Sequence, residues 1–144
     1  MTKATYDTGN IFAKILRGEL PCHKIHEDAD TIAFMDIMPR GPGHCLVLPK
    51  KPARNLLDAD ADSLVAVART VQTVARGAMK AFQADGVTIN QYNETAGGQV
   101  VFHLHVHIIP RFDGIKLRHA GGPMEKPETL AEQAQMIRAA LAQS

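Results

Sequence analysis

His103-Leu104-His105-Val106-His107-Ile108-Ile109-Pro110-Arg111 is the stretch on which the reading of this chain turns. Three imidazoles fall within five residues and alternate with Leu104, Val106 and Ile108. Successive side chains of a strand point to opposite faces, so the pattern predicts a strand over 102–110. Its apolar set would face a core and all three rings would face the other way. Three titratable rings on one face are expensive in a core, and a solvent-washed face more commonly carries Thr, Lys or Glu. The pattern therefore points to chemistry, of which two kinds stay open here. In a metal site, His103 and His107 would stand about 13 Å apart at Cα along a strand. All three rings could not then reach one ion at about 2.0–2.1 Å, although a neighbouring pair with a distant third ligand could. In nucleophilic catalysis, a neutral imidazole attacks phosphorus while its neighbours donate hydrogen bonds to phosphate oxygens.

Outward from this stretch, the pattern gives a helix, a group of strands, a long helix, two more strands and a last helix. Ile11, Phe12, Ile15 and Leu16 recur at helical spacing, with Asn10 at the N-cap position and Gly18 at the stop. Short strands are expected over 22–27 and 31–36, joined by Glu27-Asp28-Ala29-Asp30. The loop Pro39-Arg40-Gly41-Pro42-Gly43 excludes regular structure, and a compact strand follows over 44–48, closed by Pro49. Leu64, Val67, Val71, Val74, Ala78 and Phe82 mark one stripe of a helix over about 60–84. Asp60 and Asp62 meet the positive end of its dipole. A strand over 86–92 precedes the Gly97-Gly98 loop, and an amphipathic helix is expected over 127–142. With neither repeat nor linker, the order predicts one α+β domain over 1–144 with a mostly antiparallel sheet. Its core would span about 10–112, with a C-terminal extension over 113–144.

Composition narrows the class. The chain has 144 residues, 45% hydrophobic and 22% charged, which are globular values. Its 16 Lys and Arg against 15 Asp and Glu leave a net charge of +1, with no broad footprint for nucleic acid or an anionic membrane. No Trp and 5% aromatics supply no base-stacking platform. Cys22 and Cys45 form neither a CxxC pair nor a zinc-ribbon spacing, and imply reduced thiols. The polar start lacks the apolar core of a signal peptide, and no stretch approaches the ~18 apolar residues of a membrane span. A soluble cytoplasmic protein is expected.

The same residues resemble the histidine triad (HIT) superfamily of nucleotide hydrolases and transferases, in its Hint-like and bacterial branch. The signature His-φ-His-φ-His-φ-φ, with φ apolar, is matched without a gap over 103–109. Ile11-Phe12-Ala13-Lys14-Ile15, then Ala33-Phe34-Met35-Asp36-Ile37, Pro42-Gly43-His44 and Gly97-Gly98-Gln99 follow the family in order and spacing. The resemblance implies a five-stranded antiparallel sheet with a long helix and a short N-terminal helix, paired as a homodimer through the long helix and a sheet edge. A long helix rich in small and branched apolar residues is compatible with such self-pairing.

The resemblance also implies roles. His105 becomes the nucleophile that attacks the α-phosphorus of a nucleotide. His103, His107 and His44 polarise the phosphate or hold ring tautomers, and Gln99 contacts the phosphate or leaving group. Asp36 accepts from ribose hydroxyls. Phe12, Ile15, Phe34 and Ile37 form an apolar cleft for a purine, although plain core is an equal reading of these four. The family's strand asparagine matches Tyr92 or Asn93, with Asn93 preferred, and main-chain amides near Val100 add phosphate contacts. His23, His26 and His119 read as surface residues. Two positions depart from the pattern. Asn10 and Ala13 stand where many bacterial relatives carry the two cysteines of a structural zinc site. Only His44 and His103 would remain of that ligand set, so no metal and no cofactor is expected. Val100 replaces a serine on the leaving-group side. The implied activity is metal-free hydrolysis of nucleoside 5′-phosphoramidates or related purine nucleotide conjugates. Its nucleotidyl-histidine would be hydrolysed by water. The alternatives are a dinucleoside polyphosphate hydrolase or a nucleotide-binding regulatory module.

Overall fold

Asn10 opens the first helix, α1 (Ile11–Leu16), by accepting a 2.9 Å hydrogen bond from the Ala13 N–H on its side-chain oxygen. Gly18 leaves it at φ 78, a conformation that a side chain would resist. The computed structural model describes residues 5–143; residues 1–4, the first part of the polar start, and residue 144 lie outside the described residues. Strands β1 (Lys24–Glu27) and β2 (Thr31–Met35) follow, joined by a turn tied through the Asp28 carboxylate. It accepts from the main-chain N–H groups of Asp30 and Thr31 at 2.9 and 2.8 Å. Next come β3 (Cys45–Pro49) and α2 (Ala61–Phe82), the latter capped by Asp60 on the Ser63 N–H at 2.7 Å. The chain is completed by β4 (Gly86–Asn90), a 3₁₀ turn over Thr95–Gly97, β5 (Val106–Arg111) and α3 (Pro127–Ala142).

The sheet is antiparallel throughout, in the order β1-β2-β3-β5-β4. Its two faces have different tasks. Ala33, Met35, Cys45, Val47 and Ile108 turn to one side and meet Val74, Ala78 and Ile137 of α2 and α3 in the main core. The helices approach so closely that a Cβ on Gly77 would lie 2.7 Å from Leu141 Cδ2. Ile32, Phe34, Leu46 and Leu48 face the other way and pack with Phe12 from α1. His107 stands opposite Leu46 in the β3–β5 register, and so shares this second face.

The expected elements are present with shifted ends, and one shift matters. The strand expected over 102–110 begins only at Val106, so His103 and His105 precede it. Continuing the β3–β5 register would set Leu104 opposite Pro49, which has no N–H to give. The Pro49 carbonyl is instead taken by the His103 ring at 2.8 Å, and the Leu104 N–H turns to the Ala53 carbonyl at 2.8 Å. Period-two alternation thus places only His107. The strand expected over 44–48 starts one residue later and takes in Pro49 as its last residue.

Candidate active site

The loop before β5 holds two imidazoles by main-chain carbonyls. A carbonyl oxygen only accepts, so each bond fixes which ring nitrogen carries the proton. His105 Nδ1 lies 2.7 Å from the His103 carbonyl and donates to it. The proton of the neutral ring is then on Nδ1, and Nε2 presents a bare lone pair. His103 Nε2 donates to the Pro49 carbonyl, and its Nδ1 accepts from the Tyr6 hydroxyl at 2.6 Å. His103 has no exposed surface, and both of its polar atoms are spent inside the protein. Burial holds the pKa of His103 and His105 below the usual imidazole range, opposed by the carbonyl bonds.

The other two imidazoles sit at strand ends and are held in the sense opposite to His105. The Arg40 N–H donates to His44 Nδ1 at 2.9 Å, so His44 carries its proton on Nε2. That N–H points to His107 Nδ1 at 2.9 Å, with Asp36 Oδ2 at 3.4 Å. His107 accepts on Nδ1 and therefore presents an N–H from Nε2. Its ring lies 5.0 Å from that of His105, centroid to centroid. A bare lone pair and a hydrogen-bond donor are thus set on neighbouring rings. Burial, with the nearby Arg40 charge and neighbouring imidazoles, lowers His44 to about 4 and His107 to about 3. The site remains free of imidazolium at neutral pH.

Asp36 closes this half: Oδ1 accepts from the Met38 N–H at 2.8 Å, and burial raises the carboxyl pKa. A strap from the C-terminal region crosses the loop that follows it. Arg118 donates from its N–H to the Arg40 carbonyl at 2.8 Å, and Glu125 does so to the Ile37 carbonyl at 2.9 Å.

The structure sorts the remaining candidates. Phe12 stacks edge-on against His105 at 4.9 Å and against Phe34 at 5.6 Å, so both rings are core that reaches the site. Ile15 borders the same cluster, whereas Ile37 is 43% exposed. Gln99 is buried with its valences spent inside the protein. Its Oε1 accepts from Asn55 and the Glu94 N–H, and its Nε2 donates to the carbonyls of Arg54 and Val101. In this arrangement the Gln99 side chain braces the loop and has no free donor for a phosphate. Asn93 is likewise engaged, with Gln91 and the Leu56 N–H. The Val100 side chain is 84% exposed. Three contributors escape the sequence pattern: Tyr6, the Arg40 N–H and the buried Asn55. The only available signal for Asn55 is its company in Ala53-Arg54-Asn55, between a Pro and an apolar pair.

Asp36, His44 and His107 bring ligand-type atoms within 4.8 Å of one another. Their spacing suits a metal ion, but their protonation does not. His44 Nε2 holds the ring proton because the Arg40 N–H occupies Nδ1, and ligation would have to break that bond or make an imidazolate. His103, the other histidine of that zinc ligand set, belongs to a separate network with Tyr6 and Pro49.

Comparison with known proteins agrees with this geometry. The family model described as HIT domain matches residues 17–114. A Hit-like protein from Bartonella henselae, described as involved in cell-cycle regulation and solved with an unknown ligand, is 54% identical with a TM-score of 0.89, over 94% of this chain and 99% of that one. A Zn-bound histidine triad family protein from Mycobacterium smegmatis is 34% identical with a TM-score of 0.84, over 94% and 95% of the two chains. An adenylylsulfatase from Arabidopsis thaliana is 35% identical over 108 residues, covering 75% of this chain and 55% of its own length. Among the described residues no helix is long and apolar enough to cross a membrane.

Proposed function

This chain belongs to the HIT domain family of nucleotide-binding hydrolases and transferases, and on that footing we propose that it hydrolyses purine nucleoside 5′-phosphoramidates or related nucleotide conjugates through a nucleotidyl-His105 intermediate. One observation carries the reading: the His103 carbonyl binds Nδ1–H of His105 and leaves Nε2 as the lone pair. An imidazole locked in this tautomer is a ready nucleophile for phosphorus at neutral pH.

In the first step His105 Nε2 bonds to the α-phosphorus and the bond to the leaving group breaks. A departing amine takes up one proton from solvent. The His107 N–H and the main-chain amides near Val100 meet the charge gathering on the phosphoryl oxygens. In the second step water attacks the same phosphorus, the His105–phosphorus bond breaks, and one proton is returned to solvent. Throughout, Nδ1–H stays on the His103 carbonyl, which also steadies the positive charge on the substituted ring. The Asp36 carboxylate accepts from the ribose hydroxyls, and Phe12, Ile15, Phe34 and Ile37 border the base.

The test is turnover of adenosine 5′-phosphoramidate in the presence of EDTA, wild type against His105→Ala, with intact-protein mass spectra during the reaction. Monophosphate release with a transient adenylyl adduct, both lost in the variant, is expected. Turnover that survives in His105→Ala would end this reading. Adenylyl sulfate is a second candidate substrate, favoured by the neutral site and by the Arabidopsis relative. Sulfate leaves without a proton, and this site holds no imidazolium to give one. The proposal includes a homodimer, checked by light scattering at micromolar concentration, where a monomer mass would remove it.

A further inference from the structure

We propose that Tyr6 is a positioning residue for the nucleophile, its hydroxyl fixing the His103 ring whose own main-chain carbonyl holds His105. This rests on His105 being the nucleophile, as proposed above. The direction of the bond follows from the partners. Pro49 offers only a carbonyl, so His103 Nε2 is the protonated nitrogen and Nδ1 must accept from the Tyr6 O–H. The two rings also meet edge to face, 5.7 Å apart at 69°. Residue 103 is thereby held from several sides. Its ring is bound at both nitrogens, its carbonyl is bound by His105, and the next N–H is bound by Ala53. Tyr6 supplies the only bond in this set that comes from the N-terminal segment.

That segment is itself anchored. Asn10 donates from its N–H and its side-chain amide to the Asp7 carbonyl at 3.3 and 2.7 Å, while its side-chain oxygen caps α1. Arg17 reaches back to the Thr8 carbonyl at 2.7 Å. Six residues beyond Tyr6, α1 sets Phe12 against the His105 ring. One short unit therefore presses an aromatic ring on each of the two loop histidines. Tyr6 and Phe12 both lie ahead of residues 17–114, the part matched by the family model. Burial holds the Tyr6 pKa above its ordinary value and keeps the hydroxyl protonated as a donor across the working range.

Removing the hydroxyl alone leaves a buried lone pair on His103 Nδ1 without a donor and weakens the preference for the Nε2–H tautomer. The test compares wild type, Tyr6→Phe and Tyr6→Leu by ¹⁵N NMR of the histidine rings and by steady-state hydrolysis of adenosine 5′-phosphoramidate. Tyr6→Phe is expected to shift the His103 Nδ1 resonance and disturb that of His105. It should lower kcat about tenfold, the scale of one buried hydrogen bond, with KM unchanged. Unchanged ring resonances and kcat in Tyr6→Phe overturn the proposal. So does loss confined to Tyr6→Leu, which would assign the effect to ring packing. Shifted His103 and His105 resonances in Tyr6→Phe uphold the latch even if the wild type turns over no nucleotide, an outcome that would sink only the hydrolase reading.

Discussion

The loop that carries His103 and His105 and the strand ends that carry His44 and His107 use the same side chain to opposite effect. In the loop, main-chain carbonyls take the ring proton, so the nitrogen left facing outward on His105 is a lone pair. At the strand ends, the Arg40 N–H occupies His44 Nδ1 and pushes the proton the other way, through His44 to His107. The exposed atom there is an N–H. Four imidazoles of nearly equal intrinsic basicity thus become an acceptor and a donor standing together, without any of them being charged. For His105 and His44 the difference is made by whether a backbone oxygen or a backbone amide holds Nδ1.

Glutamine is the sharpest probe of this contrast, because its amide can imitate an N–H donor but not a nucleophile. His105→Gln is expected to lose about 10⁴-fold or more in kcat while nucleotide binding survives, as calorimetry would show. His107→Gln keeps a donor and should lose on the order of 10²-fold. Comparable losses in the two variants would erase the distinction. Asp36→Asn should raise KM a few-fold for a ribonucleotide and much less for its 2′-deoxy analogue.

The smallest expected effect is an acid limb displaced to lower pH. An ordinary imidazole of pKa about 6.5 would be roughly 3% neutral at pH 5. With His105 held below that value by burial, kcat/KM at pH 5 should stay well above such a fraction of its neutral value. Stability behaves differently. A lowered folded pKa means that the unfolded chain binds protons first. The contributions of His44 and His107 are therefore complete above about 6.5 and are lost as pH falls toward about 4 and about 3. Melting temperature should fall over that range while activity per folded molecule persists. A midpoint that rises on acidification would contradict the burial of neutral rings.

These tautomers were not legible in the sequence, although much else was. Helical spacing around Leu64, Val74 and Phe82, capping by Asn10 and Asp60, and the Pro-Gly loop before His44 placed the helices and most strands. Alternation over 103–109 predicted one extended face for three rings, and there the pattern misled: Pro49 ends the pairing, and a local twist is invisible to period two. Their place in a motif matches Gln99 and Asn93 to ligand contacts. Their side chains are instead hydrogen-bonded to Arg54, Asn55, Glu94 and Gln91, partners that only the folded chain identifies. Tyr6 lies 97 positions from His103, and nothing local in a polar N-terminal stretch announces such a bond.

The sheet order has a consequence in time. β1, β2 and β3 are sequence neighbours, as are β4 and β5, so each group can pair without spanning α2. The seam between β3 and β5 pairs Leu46 with His107 and must close around α2 and β4. Such a closure is slow compared with a hairpin, because the entropy of a long loop is lost before its contacts repay it. A nascent chain that ends before β5 has His44, His103 and His105 but lacks His107. The acceptor and the donor come into register only at this last seam, so recovery of activity during refolding should lag behind the formation of α2.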